Sequence, residues 1–288
     1  MQYSIMKKRV TPTETMIIAY FALVSTLCFS IFLLPVNIQE SLKARSDQWN
    51  LLTFFTSTFV HANLEHLLGN IVAFLLLGFF VYKPIHNSDR EKRFFISLLL
   101  AIFLLPFIYN ISFALLAIFV IGQPLVSCGL STVIAGILGL IVPSLTIFLK
   151  ELLQNERNTL YFLTSLMFLT GSAIAFPYIN SGTYNLTVFV ATLAIGLILL
   201  LHIGRKLLSS AKQNPSAKKK LTATAILLFV YFIFHFSLFP SNIIMVQGNI
   251  VNIFAHYVGV FYGIISGIYT LNLFPKKKTS VNNQLLEK

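Results

Sequence analysis

The chain has 288 residues, of which 56% are hydrophobic and only 10% charged, with a mean hydropathy of +0.80. Soluble domains carry about 25% charged residues, so this composition excludes an ordinary soluble enzyme and points to a polytopic membrane protein. The formal charge of +12 is read through its placement. Basic residues gathered on one side of a membrane report orientation and contact with anionic lipid, not nucleic acid.

Lys7, Lys8 and Arg9 precede an apolar run from about Met16 to Pro35. The run exceeds a secretory h-region of roughly 7–15 residues and no small-x-small cleavage site follows, so it reads as a first transmembrane helix that stays attached. With about 20 apolar residues needed per crossing, eight spans are predicted: about 15–35, 60–82, 94–119, 128–148, 160–178, 185–204, 221–239 and 250–271. The third is long for one crossing and contains Pro106 and Asn110, which predicts a kink or a partial re-entry. The connection from Val36 to Phe59 holds the only tryptophan, Trp49, and the stretch Ser209 to Lys220 reads as a flexible Ser/Lys/Pro connector on the membrane surface. Cys28 and Cys128 sit in or beside apolar spans and give no disulfide framework. No internal repeat supports an inverted-repeat transporter.

The basic residues orient the spans. With the N-terminus inside, nineteen of the twenty-one Lys and Arg residues fall on the inner side and only Lys43 and Arg45 fall outside. The expectation is an all-α transmembrane bundle forming one membrane domain over 1–288. Both termini are cytoplasmic, and residues 275–288 form a short tail.

Polar residues that open apolar spans are functional candidates by default, and three spans carry them. The second contains His61, His66 and Asn70. At 100° per residue, His66 and Asn70 share a helix face, whereas His61 lies about 140° from His66 and is expected to tie the outer loop to the helix end instead. The fourth span contains Ser131, Ala135 and Gly139 as a small-xxx-small row, flanked by Gly129 and Gly136; the eighth presents His256, Gly259, Gly263 and Gly267 within about 60°. Such faces suit close packing. All three spans run from outside to inside, so Ser131, His66 and His256 are expected at one level, about four to seven residues into their spans and roughly 5–10 Å deep. Only Glu65 is a carboxylate within a span, which leaves a Ser-His-Asp triad without its acid. The simpler arrangement is a dyad: His256 deprotonates Ser131, while His66, Asn70 and the Ser131 backbone N–H hold an oxyanion. Taken singly, Ser131 also reads as a packing serine, His256 as an interfacial histidine, and His66 and Asn70 as interhelical hydrogen-bonding groups. His86, His202 and His235 fit no motif and read as structural or surface residues.

The pattern His61-x4-His66-x3-Asn70, Gly129-x-Ser131 and Ala255-His256-x2-Gly259-x3-Gly263, together with Trp49…Thr56…Phe59…His61, resembles the rhomboid intramembrane serine proteases. The resemblance implies a six-helix core within the eight spans and cleavage of transmembrane protein substrates near their outer ends. The implied catalytic residues are Ser131 and His256, with His66 and Asn70 at the oxyanion and His61, Gly129, Gly259 and Gly263 in support. No metal or cofactor is implied, and the partners are membrane proteins and lipid, not nucleic acid. Three departures stand out. Thr132 follows the serine where the family usually has glycine, Asn50 follows Trp49 where arginine is common, and three spans rather than one separate Ser131 from His256. Two extra spans preserve the sidedness of the dyad; the pair flanking the Lys-rich stretch is the expected addition. The rival readings are a catalytically inactive rhomboid-like protein that binds membrane clients, a zinc protease on His61, Glu65 and His66 with His256 as an optional further ligand, and a transporter. The zinc site lacks the HExxH spacing, and the transporter lacks intramembrane charge. The compact, tail-poor chain favours a plasma membrane over an organelle membrane.

Overall fold

The computed structural model describes residues 11–239, 245–246, 249–250 and 253–274, the side chain of Ser181 and those of 245–246 and 249–250 excepted. The helices in chain order are α1 (Pro12–Phe32), α2 (Val36–Ser41), α3 (Leu51–Thr56), α4 (Leu64–His86), α5 (Glu91–Phe103), α6 (Leu105–Leu116), α7 (Ser131–Phe148), α8 (Lys150–Leu153), α9 (Glu156–Ala175), α10 (Thr183–Gln213), α11 (Pro215–Leu238) and α12 (Ile253–Thr270). Four two-residue strands pair antiparallel: β1 (Ala44–Arg45) with β2 (Val126–Ser127), and β3 (Met245–Val246) with β4 (Asn249–Ile250). Eight helical segments are long and apolar enough to cross a bilayer, one for each predicted span. The protein is an all-α integral membrane bundle. The predicted tail 275–288 and the basic residues Lys7, Lys8 and Arg9 lie outside the described residues.

Side-chain caps set the helix starts. Asn63, Asn155 and Asn214 each accept a backbone N–H of the first turn at 2.8 Å, and Thr11 with Glu14 forms a reciprocal capping box. The caps also correct the sequence reading. Asn63 delays the second span to Leu64. Asn214, followed by Pro215 in the first helical position, makes the Ser209–Lys220 stretch the end of one helix and the start of the next, not a flexible connector. The third span breaks as predicted: α5 ends before Leu104, Pro106 sits in the first turn of α6, and a π-helical turn follows over Ala117–Ile121.

α7 is the centre of the bundle, with every residue from Thr132 to Phe148 buried. In lipid the drive for helices to associate is close van der Waals packing, which small residues permit. The two predicted glycine faces meet. A Cβ on Gly263 would lie 1.9 Å from the Gly136 carbonyl oxygen, one on Gly139 2.2 Å from the Val260 oxygen, and one on Gly259 2.4 Å from the Thr132 oxygen. α7 and α12 therefore touch backbone to backbone. At the far end, Arg90 and Arg93 donate to the carbonyls of Leu271 and Thr270, and Lys150 Nζ to that of Leu273 at 2.6 Å. These cations satisfy the orphan carbonyls where α12 ends.

α10 is peripheral. It buries only Gly196, Ile203 and Leu207 and packs chiefly on α9, where a Cβ on Gly196 would meet Leu169 at 2.8 Å. α11 packs on α10 and α7 and faces α4 across a groove.

Gly263→Ala is expected to force α7 and α12 apart and cost about 2–3 kcal/mol, seen as a lower thermal midpoint of the detergent-purified protein. Gly204→Ala, where nothing lies within 4 Å of the new Cβ, is expected to leave that midpoint in place.

Candidate active site

The loop that delivers Ser131 is held by polar groups from the connection before α4. β1 pairs with β2, the Ser46 and Leu125 backbones are joined through Ser46 N to Leu125 O (2.9 Å) and Leu125 N to Ser46 Oγ (2.8 Å), and Gly129 N–H donates to Ser57 O at 2.9 Å. Asn110, buried in α6, donates Nδ2 to Phe54 O, Pro106 O and Ser57 Oγ, and Tyr109 OH meets Ser127 Oγ at 2.7 Å. The sequence reading treated Asn110 only as a helix disturbance. An asparagine inside an apolar span was signal enough for a structural role, whereas nothing in the sequence marked Ser46, Ser57 or Tyr109. Asn50, at the position where arginine is common in the family it resembles, caps α3 through Oδ1 to Leu52 N at 2.9 Å.

Gly129 brings this loop against α4. Its φ of +114° is a conformation glycine tolerates, and a Cβ there would lie 2.9 Å from His66 Cε1 and 3.6 Å from Asn70 Nδ2. Asn70 is buried, and its Nδ2 has no hydrogen-bond partner among the described residues. A buried amide donor left unsatisfied costs about 1–3 kcal/mol, and this one lies beside Gly129, two residues before Ser131. His61 reaches the same place from outside the helix. Because α4 begins only at Leu64, the helical-wheel separation of His61 from His66 does not apply. The His61 ring, its Nδ1 3.2 Å from Phe59 O, folds to a centroid distance of 5.1 Å from His66. Ser131, His66 and His256 are the first, third and fourth residues of α7, α4 and α12.

His256 is 6% exposed and sits on the glycine face of α12, one turn from Gly259. Its Nδ1 lies 2.5 Å from the Leu238 carbonyl oxygen at the end of α11, and Phe239 meets its ring edge-on at 5.8 Å. A carbonyl only accepts, so in this contact Nδ1 carries the proton. Leu238 and Phe239 had no sequence signal, because one contributes a backbone atom and the other is one phenylalanine among 28. No hydrogen bond joins Ser131 Oγ to His256 among the described residues, where such bonds are often long without a substrate. Thr132 is buried, with its carbonyl against Gly259.

The histidines without a motif lie elsewhere. His86 joins Glu14, Tyr82 and Glu91 at the opposite end of the bundle, with Glu91 Oε1 at 2.9 Å. His202 packs edge-on to Tyr161, and His235 is enclosed between Tyr231 and Phe239. Cys28 and Cys128 are free thiols. A groove of about 820 Å³ opens between α4 and α11, lined by Leu64, Glu65, Leu68, Gly69, Val72, Ala73, Phe234 and Ser237.

No curated protein and no solved structure matches the chain. The family model described as the Rhomboid domain matches residues 48–206, more than half of the sequence. The match contains His61, His66, Asn70, Gly129 and Ser131 and ends before α12, so His256 is placed by the packing of α12 on α7 and not by the match. On the family match and the eight-helix bundle together, this chain belongs to the rhomboid family.

Proposed function

We propose that the protein is an intramembrane serine endopeptidase in which Ser131 is the nucleophile and His256 the general base. Ser131 Oγ attacks the scissile carbonyl carbon while its proton passes to His256 Nε2. The carbonyl electrons move to oxygen, and Asn70 Nδ2, His66 and the Ser131 backbone N–H receive that oxyanion. Collapse expels the amine, which takes the proton from His256, and a water deprotonated by the same imidazole releases the acyl group.

The observation that carries this reading is the unpartnered Asn70 Nδ2. It is a buried donor aimed at the loop that ends in Ser131. The Leu238 carbonyl supports it, because it fixes the tautomer that leaves Nε2 basic. The substrate is another membrane protein. Its apolar segment enters through the groove between α4 and α11, where Gly69 has open space beyond its Cα. The polar end at which α7 begins faces outward, the basic end faces the cytoplasm, and the membrane is the plasma membrane.

Thr132, buried beside the nucleophile where the family usually has glycine, favours a second reading: a rhomboid-like protein that holds membrane clients without cutting them. A single-span reporter reconstituted with the purified protein separates the two. Cleavage by the wild type that disappears in Ser131→Ala and His256→Ala, and falls about 10²–10³-fold in Asn70→Ala, supports the protease. Uncut reporter that co-purifies with a well-folded wild type supports the client-binding protein, and cutting restored by Thr132→Gly would identify that side chain as the block. Gly69→Phe is expected to reduce reporter cleavage at least tenfold more than it reduces reaction of Ser131 with a small fluorophosphonate, measured on the same preparation.

A further inference from the structure

Glu65 is the carboxylate nearest the candidate dyad in a membrane-length helix, beside His66 in the first turn of α4. It is exposed, in the first turn of α4, and forms no ion pair or hydrogen bond among the described residues. A negative side chain there suits the helix dipole, but that accounts for the turn and not for the face. Glu65 lies on the stripe Glu65, Leu68, Gly69, Val72, which lines the groove opposite Phe234 and Ser237 of α11. The next residue, His66, points the other way, toward Gly129. The groove is thus apolar along its length and anionic at the end where α7 begins.

At that end no ion pair reaches Glu65 among the described residues. The four other charged residues there pair with one another, Lys43 with Glu40 at 2.5 Å and Arg45 with Asp47 at 3.2 Å. The sequence brings no further charged residue to the connections before α7, between α9 and α10, or between α11 and α12. A charge set beside lipid is costly unless it has a partner or a use.

We propose that Glu65 selects the substrate: the groove takes an apolar membrane segment that carries a lysine or arginine in the polar flank just beyond its end, within about a turn of the scissile bond. The carboxylate meets that cation as the segment seats between α4 and α11, and an acidic flank in the same place is repelled. This rests on the protease reading above, and it assigns the specificity of that same site.

Two single-span reporters that differ only by Lys or Glu at one flanking position test it, each cleaved by wild type, Glu65→Gln and Glu65→Lys in the same lipid. Wild type is expected to cut the Lys reporter about fivefold to tenfold faster, the scale at which complementary and like charges separate partners at an interface. Glu65→Gln should bring the two rates together and Glu65→Lys should reverse their order. If Glu65→Lys does not fold, the Glu65→Gln comparison decides alone. Equal cutting of both reporters by wild type overturns the proposal while leaving the protease reading intact, and means that the groove binds by apolar contact or holds lipid. If wild type cuts neither reporter and Ser131 does not react with a fluorophosphonate, the protease reading fails and this proposal fails with it.

Discussion

Everything at the candidate site depends on two helices meeting without side chains between them. Gly136 and Gly139 of α7 face Gly259 and Gly263 of α12 so closely that a single Cβ at any of the contacts would overlap a backbone oxygen or carbon or a neighbouring side chain. The separation of Ser131 from His256 is therefore set by backbone packing, which is stiffer than rotamer choice. α12 is also fixed along its axis. Arg90, Arg93 and Lys150 hold its C-terminal carbonyls from α5 and the α7–α8 corner, so it cannot slide without unpairing three cations from their acceptors.

The second constraint is polar. In a bundle this apolar, unsatisfied backbone groups in the connections are costly, and the loop before α7 meets the requirement through the β1–β2 pairing, Ser46 and the Ser57 carbonyl. The connection between α1 and α4 thereby becomes a brace for Gly129 and Ser131. Beside this frame, Nδ2 of Asn70 has no hydrogen-bond partner among the described residues.

Much of this was legible in the sequence, for reasons that can be named. Apolar runs of bilayer length give helices almost independently of context, so all eight formed. The break near Pro106 follows from the missing N–H of proline. The glycine rows met because a period of 3.6 sets a face on any straight helix. What failed did so where a cap outweighed the apolar pattern. Asn63 and Asn214 moved helix ends that hydropathy alone could not place, and with them the relation of His61 to His66 and the character of the Ser209–Lys220 stretch. The support of His256 by Leu238 O was out of reach, since a backbone carbonyl carries no residue identity. The place of α11 beside the groove depends on a helix order that parity arguments leave open.

The most direct test of the account is to find where a serine-reactive probe bonds. Detergent-purified protein treated with a fluorophosphonate and mapped by peptide mass spectrometry is expected to carry the phosphonyl adduct on Ser131, with the modification lost in His256→Ala. Folded protein that takes up no probe, or carries it on another serine, would contradict a nucleophile at the start of α7 activated by the histidine of α12.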